Sequence, residues 1–301
     1  MMNVMIAMDE NFVNYYKIVL VSLFSNNTEE ITVYLFYTDS LSKSSIKELE
    51  LLVTSYGNIL VSVYVDRKNF AQYPTGEWSV EACYRLTAFE QVPLSVERML
   101  WLDGDTLVNK NIADFYHMDF EDNFYIACED MAITHARNPE EYRRMRFTPE
   151  MPYINTGVLL MNIEKLRKER TADDFIQYMN NHTDALAFPD QSTINGMFFG
   201  KIYITDEMKY NCQVNTHHYT EKKSILSDAC ILHFSGSGQR PWNAECGRHF
   251  ATAVPGDVWW KYQRILYGRY NHEYMKWKIL NTLYVKPWQI IYRVYRNCVK
   301  K

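Results

Sequence analysis

Residues 2–8, apolar but for Asn3, read as a short buried strand, followed by Asp9, Glu10 and Asn11 and then by a helical pattern over residues 12–25. The unit recurs. Residues 31–37 are a second apolar run, closed by Thr38, Asp39 and Ser40. Residues 42–55 read as a helix with Ile46, Leu49, Leu52 and Val53 on one face, and residues 58–65 as a third strand. Parallel strands need a crossover of helix length, and strands covered on both faces read as continuous apolar runs. The spacing therefore predicts an α/β fold in which helices cover a parallel sheet. Such sheets bind ligands beyond the carboxyl ends of their strands.

Further along, residues 80–89 look helical and carry Tyr84 and Arg85, and residues 98–102 form a strand. Residues 124–128 are another strand. Residues 135–150 are charged, with Arg137, Arg143, Arg144 and Arg146, and read as a solvated helix or a flap. Tyr153-Ile154-Asn155-Thr156-Gly157 opens onto the apolar Val158-Leu159-Leu160-Met161, and a helix is expected over residues 163–181. Phe188-Pro189-Asp190-Gln191 begins another, with Asp190 expected as its N-cap. A late strand over residues 229–234 carries His233, and an amphipathic helix spans residues 255–270.

At 301 residues and 47% apolar composition, the chain can bury a substantial core. We expect one catalytic domain over residues 1–272 and a basic, aromatic tail over residues 273–301. From Tyr274 onward there are seven Lys or Arg and no acid, which leaves 25 positive and 36 negative groups, a net of −11, on the rest. That excludes nucleic acid as a partner of the main body. The tail interleaves Trp277, Trp288 and Tyr292 with Lys276, Lys286 and Arg293, a composition suited to an anionic membrane surface or to a helix packed on the body. The six cysteines form no Cys-X-X-Cys pair, and neither a basic leader nor an apolar run of about 20 residues is evident. These features lead us to expect free thiols and a cytoplasmic protein, peripheral at most to the inner face of the plasma membrane.

The chemistry concentrates where Met99-Leu100-Trp101-Leu102 stops at Asp103, Gly104 and Asp105 and resumes as Thr106-Leu107-Val108. Residues two apart in an extended chain point the same way, so both carboxylates can converge if Gly104 lets the backbone turn. Converging carboxylates repel unless a cation lies between them, which suggests Mg²⁺ or Mn²⁺. A solvated turn is the structural alternative. Asp9, Asn11, Asn155 and His233 also fall at strand ends, and imidazole with carboxylates suits Mn²⁺. Ser235-Gly236-Ser237-Gly238 can bring backbone N–H groups to a phosphate, with Arg240 just beyond to pair with it.

Together these pieces resemble the family 8 glycosyltransferases, the retaining bacterial group of lipopolysaccharide galactosyl- and glucosyltransferases. The matching segments are Ile6-Ala7-Met8-Asp9 with Asn11, Tyr84-Arg85-Leu86, Leu102-Asp103-Gly104-Asp105, the run from Asn155 through Asn162, Asp190-Gln191, and His233-Phe234-Ser235-Gly236 leading to Arg240-Pro241-Trp242. The resemblance implies a GT-A fold, a UDP-sugar donor, a saccharide or lipid-linked acceptor, and Mn²⁺ or Mg²⁺ held by Asp103, Asp105 and His233. It implies that Ala7, Asp9 and Asn11 meet the uridine, that Arg85, Asp103 and Gly104 lie at the diphosphate and sugar, and that Asn155 and Asp190 hold sugar hydroxyls. Gln191 would lie under the anomeric carbon, and Gly236 and Arg240 would grip the diphosphate. Family members usually carry Lys at the position of Arg240, and the loop before it is one residue longer here.

Two other readings compete. Asp103-Gly-Asp105-Thr106 fits the Asp-X-Asp-Thr of haloacid-dehalogenase-like phosphohydrolases, whose motif belongs on the first strand. A sugar-nucleotide-binding protein without turnover would carry the same ligands.

Overall fold

The computed structural model describes residues 1–75, 79–136, 148, 151–214, 216, 227–236, 240–243, 253–269, 271–285, 287 and 290–291. Arg137, Arg143, Arg144, Arg146, Ser237, Gly238, Lys286, Trp288, Tyr292 and Arg293 lie outside them.

The first half follows the expected alternation: β1 (Met2–Ala7), α1 (Val13–Asn26), β2 (Ile31–Tyr37), α2 (Lys43–Ser55), β3 (Ile59–Tyr64), α3 (Tyr84–Gln91) and β4 (Arg98–Leu102). Ser42 caps α2 by accepting from the Ser45 backbone N–H. Beyond β4 come β5 (Thr106–Val108), β6 (Tyr125–Glu129), β7 (Ile154–Asn162), β8 (Ile202–Thr205), β9 (Cys212–Gln213) and β10 (Ile231–His233). The main sheet has the order β3-β2-β1-β4-β7-β6-β8, and a small one the order β5-β10-β9.

Side-chain alternation divides the core between the two faces of the main sheet. Val4, Ile6, Leu100 and Leu102 pack with Val19, Leu20, Leu49 and Val53 of α1 and α2. Met5, Ala7, Met99 and Trp101 pack on the other face with Tyr84, Leu86, Phe89 and Phe175. A third cluster joins Ile18 and Val21 of α1 to Trp259, Trp260, Tyr274 and Trp277, so the start of the tail is packed onto the body.

Three expectations need correction. The sheet is parallel from β3 to β4 and again between β6 and β8, but β7 enters antiparallel between β4 and β6. The helix expected over residues 163–181 is two, Ile163–Glu169 and Ala172–Asn181. Arg170 is extended, and Thr171 with Asp174 forms a capping box that starts the second helix. Asp190 is not an N-cap: Phe188 holds that position, Pro189 is the first helical residue and Asp190 the second.

Candidate functional site

The apolar run that halts at Asp103 does so because the chain changes sheets. β4 ends at Leu102 in the main sheet, and β5 begins at Thr106 paired antiparallel with β10. Thr106 closes the turn by donating from its backbone N–H and its hydroxyl to the Asp103 carbonyl, at 3.1 and 2.7 Å. The register places His233 opposite Thr106, beside the two acids. Ligand atoms of Asp103, Asp105 and His233 all lie within 4.8 Å of one another. Gly104 does not use a left-handed conformation for this turn. It is needed for space: a Cβ there would lie 2.9 Å from the Tyr16 ring and 3.0 Å from that of Phe12.

Asp105 and His233 are buried and face each other, with His233 Nε2 3.2 Å from Asp105 Oδ1. Arg240 donates to Asp105 Oδ2 from Nε at 3.1 Å and lies 3.0 Å away through Nη2. Burial raises the Asp105 carboxyl, but His233 and Arg240 outweigh it and hold it below the ordinary carboxylate range. Burial likewise lowers the imidazole, yet Asp105 and, farther off, Asp103 and Asp130 hold it above its ordinary value.

A second layer fixes the imidazole. Asn211, on the turn before β9, faces His233 Nδ1 with Oδ1 at 2.8 Å and donates through Nδ2 to Asn155 Oδ1 at 2.9 Å. With its amide oriented by Asn155, Asn211 accepts from Nδ1–H, which leaves Nε2 as the nitrogen available to a cation. Asn155 Oδ1 also accepts from the Gly157 backbone N–H at 2.9 Å. A Cβ at Gly157 would fall 2.3 Å from His233 Cε1 and 2.9 Å from Asp103 Oδ2, so the strand must carry glycine where the ligands crowd it. Two carboxylates and an oriented imidazole, with backbone kept clear of them, form a donor set that fits a divalent cation.

Arg85 links this cluster to a second one. Its guanidinium donates to Asp103 Oδ1 at 2.9 Å, lies 3.3 Å from Asp190 Oδ2, and sits 4.0 Å over the Trp101 ring. Trp101 Nε1 donates to the same Asp103 oxygen at 2.6 Å. Asp190 also accepts from the Thr156 hydroxyl at 3.1 Å. Burial raises its carboxyl above the ordinary value, Arg85 opposes the rise, and the Asp103 charge adds to it. Gln191 is held at both ends: Oε1 accepts from Thr156 N–H at 3.1 Å, and Nε2 donates to Asp130 Oδ2 at 3.0 Å. Asp130 Oδ2 accepts from Asn155 Nδ2 as well, at 3.0 Å.

A cleft of about 180 Å³ opens over these groups, lined by Ala7, Asp9, Arg85, Asp103, Asp105 and Arg240 among others. Seven of the residues singled out in the sequence thus meet here, Gly104 being the seventh. Asp190 and His233 lie just behind it, bound to Arg85 and Asp105 of its lining, and Asn155 and Gln191 lie one layer farther back, joined through Asp130. Asn11 does not line it; it donates to Asp9 Oδ2 at 3.1 Å and faces a neighbouring cavity. Gly236 is exposed, with φ +92°. Sequence reasoning missed Asp130 and Asn211. Asp130 directly follows β6 as Asp103 follows β4, so the same strand-end signal marked it. Asn211 carried no such mark.

Residues 3–246 match the family described as Glycosyl transferase family 8. A lipopolysaccharide 1,2-glucosyltransferase of Escherichia coli is 25% identical over 253 residues, which cover 80% of this chain and 73% of that protein. A lipopolysaccharide 1,3-galactosyltransferase of Salmonella typhimurium is 22% identical over 274 residues, covering 85% and 79%. Among solved structures, the galactosyltransferase LgtC in complex with donor and acceptor sugar analogs superimposes with a TM-score of 0.74 at 20% identity, over 92% of this chain and 100% of that one. A likeness at that identity speaks for the fold, and the fold is GT-A.

Proposed function

The chain belongs to glycosyl transferase family 8, and on that premise we propose that it moves a hexose, glucose or galactose, from a UDP-sugar to a saccharide or lipid-linked acceptor of a cell-surface polysaccharide, with retention at the anomeric carbon. As a glycosyltransferase it takes a nucleotide-sugar donor and a saccharide acceptor. The phosphohydrolase reading falls away, since the Asp-X-Asp-Thr motif follows the fourth strand rather than the first. The observation that carries the proposal is the convergence of Asp103, Asp105 and His233 beside the Arg85–Asp190 pair.

In this reading Asp103, Asp105 and His233 hold Mn²⁺ or Mg²⁺. A divalent cation held there would supply Lewis-acid charge neutralisation to the diphosphate. The chain's own groups do the rest. Asp9 accepts from the uracil edge, with Ala7 beside it and Asn11 holding the Asp9 carboxylate in place. Arg240, and backbone N–H groups near Gly236, meet the diphosphate charge that grows as the sugar leaves. Asp190, anchored by Arg85 and Thr156, accepts from sugar hydroxyls and lends negative charge beside the oxocarbenium-like centre.

Gln191 is a poor nucleophile, because an amide oxygen that already accepts a backbone N–H has little electron density to give. We therefore favour attack by the acceptor hydroxyl on the face the diphosphate leaves. The departing phosphate oxygen takes the hydroxyl proton. A double displacement through Asp190 is the second route.

The tail supports contact with an anionic membrane surface. Met275, Ile279 and Leu283 are 53%, 55% and 63% exposed and recur every four residues, a stripe on one side, with Lys276 and Lys278 alongside. No helix of the described residues is long and apolar enough to cross a membrane. Cys83, Cys128, Cys212 and Cys230 are free, in keeping with a cytoplasmic enzyme.

Incubation with a panel of UDP-sugars and Mn²⁺, with and without EDTA, tests the proposal through UDP release. Metal-dependent release from a UDP-hexose supports it. UDP binding without consumption of any donor would instead establish the non-catalytic reading.

A further inference from the structure

A second cavity, of about 450 Å³, lies between α1 and the helix Ala253–Tyr267 and is larger than the donor cleft. Its volume falls within the roughly 300–1,000 Å³ of small-molecule sites. Nothing in the proposed transfer uses it. Asn14 and Tyr15 of α1 form one side, and Gln263 and Tyr267 of the helix Ala253–Tyr267 the other. Trp242, from the segment after Arg240, joins them and stacks on Tyr15 at 4.0 Å and 16°. The Tyr267 hydroxyl donates to Asn14 Oδ1 at 2.9 Å and ties the two sides together.

Two features of the wall indicate what it would hold. Trp259, Trp260 and Gln263 are almost wholly buried in it, and among the described residues Trp259 Nε1, Trp260 Nε1 and Gln263 Oε1 have no hydrogen-bond partner. Buried polar atoms are nearly always paired in folded proteins, so three orphans around one cavity mark a place where hydrogen-bonding capacity is kept in reserve. The charged residues of the wall are one cation and one anion, Arg269 and Glu273, so the cavity has no net charge to draw a phosphate or a carboxylate. Aromatic surface, amides and indole N–H groups without net charge suit a pyranose, whose C–H face lies on a ring while its hydroxyls meet the amides.

We propose that this cavity is a binding site for a neutral saccharide, separate from the donor cleft. It adjoins the proposed nucleotide site through one contact: Asn11 lines the cavity and donates to Asp9, which lines the cleft. A saccharide bound here lies beside the loop that reads the nucleotide. The inference stands on the chemistry of the cavity and does not require the donor reading.

Saturation-transfer NMR on the full chain tests it, with lactose, cellobiose, maltotriose and chitobiose as probes and saturating UDP and Mn²⁺ present throughout. Transfer to at least one probe is expected, and Tyr267→Ala and Gln263→Ala should each abolish it while UDP still binds in a calorimetric titration. Absence of transfer to all four probes, or undiminished transfer in both variants, would overturn the site. Saccharide binding without turnover of any UDP-sugar would remove the donor reading and leave this one standing.

Discussion

Asn211 Oδ1 lies 2.8 Å from His233 Nδ1 at a residue with no solvent exposure, so the orientation of the third proposed metal ligand is set from behind by an amide. Replacing such a partner typically weakens metal affinity by about 10–100-fold. Asn211→Leu, close in volume, should lower Mn²⁺ affinity by about that factor while the far-ultraviolet circular dichroism stays that of the parent. Unchanged affinity in a Mn²⁺ titration would show that His233 needs no such partner.

Gly157 is a steric requirement of the same cluster. Gly157→Ala would drive a methyl to 2.3 Å from His233 Cε1, forcing the imidazole or the strand to move. Overpacking of this kind costs about 1–3 kcal/mol. A lowered melting temperature together with weakened Mn²⁺ binding is expected. A variant that melts lower but binds Mn²⁺ as the parent does would separate Gly157 from the site.

Asp190 links activity and stability in opposite directions. Asp190→Asn should slow transfer strongly and leave UDP affinity nearly intact, because its contacts are to Arg85 and Thr156 on the sugar side of the cluster. Burial raises the Asp190 carboxyl above its ordinary 3.8, so the folded state keeps a proton that the unfolded chain has already released. Its contribution to stability therefore falls as pH rises from the ordinary Asp value through the raised one. Relative to the parent, the metal-free Asn variant should gain melting temperature as pH rises above the ordinary Asp value of 3.8. A relative loss over that range would mean that the Arg85 pairing outweighs desolvation.

The exposed stripe on the tail predicts membrane contact that can be removed without cutting the chain. Truncation at Asn271 would strip Tyr274 and Trp277 from the core, so point changes are the cleaner probe. Full-length protein carrying Ile279→Glu and Leu283→Glu should float less with anionic liposomes than the parent. Equal flotation would assign the tail a packing role alone.

Much of this architecture was legible in the chain, for physical reasons that also explain what was not. Apolar runs at βαβ spacing give the parallel part of the sheet. The abrupt acids at Asp103 and Asp105 mark a strand end, and the order of short motifs supplies the family. The direction of β7 was hidden, because an unbroken apolar run buried on both faces reads the same in either orientation. The helix break at Arg170 was missed because helical periodicity was followed across Thr171 and Asp174, whose capping box was the local signal to stop. Asp190 was misplaced within its turn because Pro189 shifts the helix start one residue earlier. Asn211 belongs to a class no sequence pattern exposes: its importance arises only when β9 and β10 pair and bring it to His233.

The central claim is that Asp103, Asp105 and His233 bind a divalent cation that in turn binds a nucleotide diphosphate. Calorimetric titration of UDP into the full chain, with Mn²⁺ and then with EDTA, tests it most directly when repeated on Asp105→Asn. The account predicts UDP binding to the parent that needs the metal and is lost or severely weakened in the variant. Binding of equal strength in EDTA, or in Asp105→Asn, would contradict it.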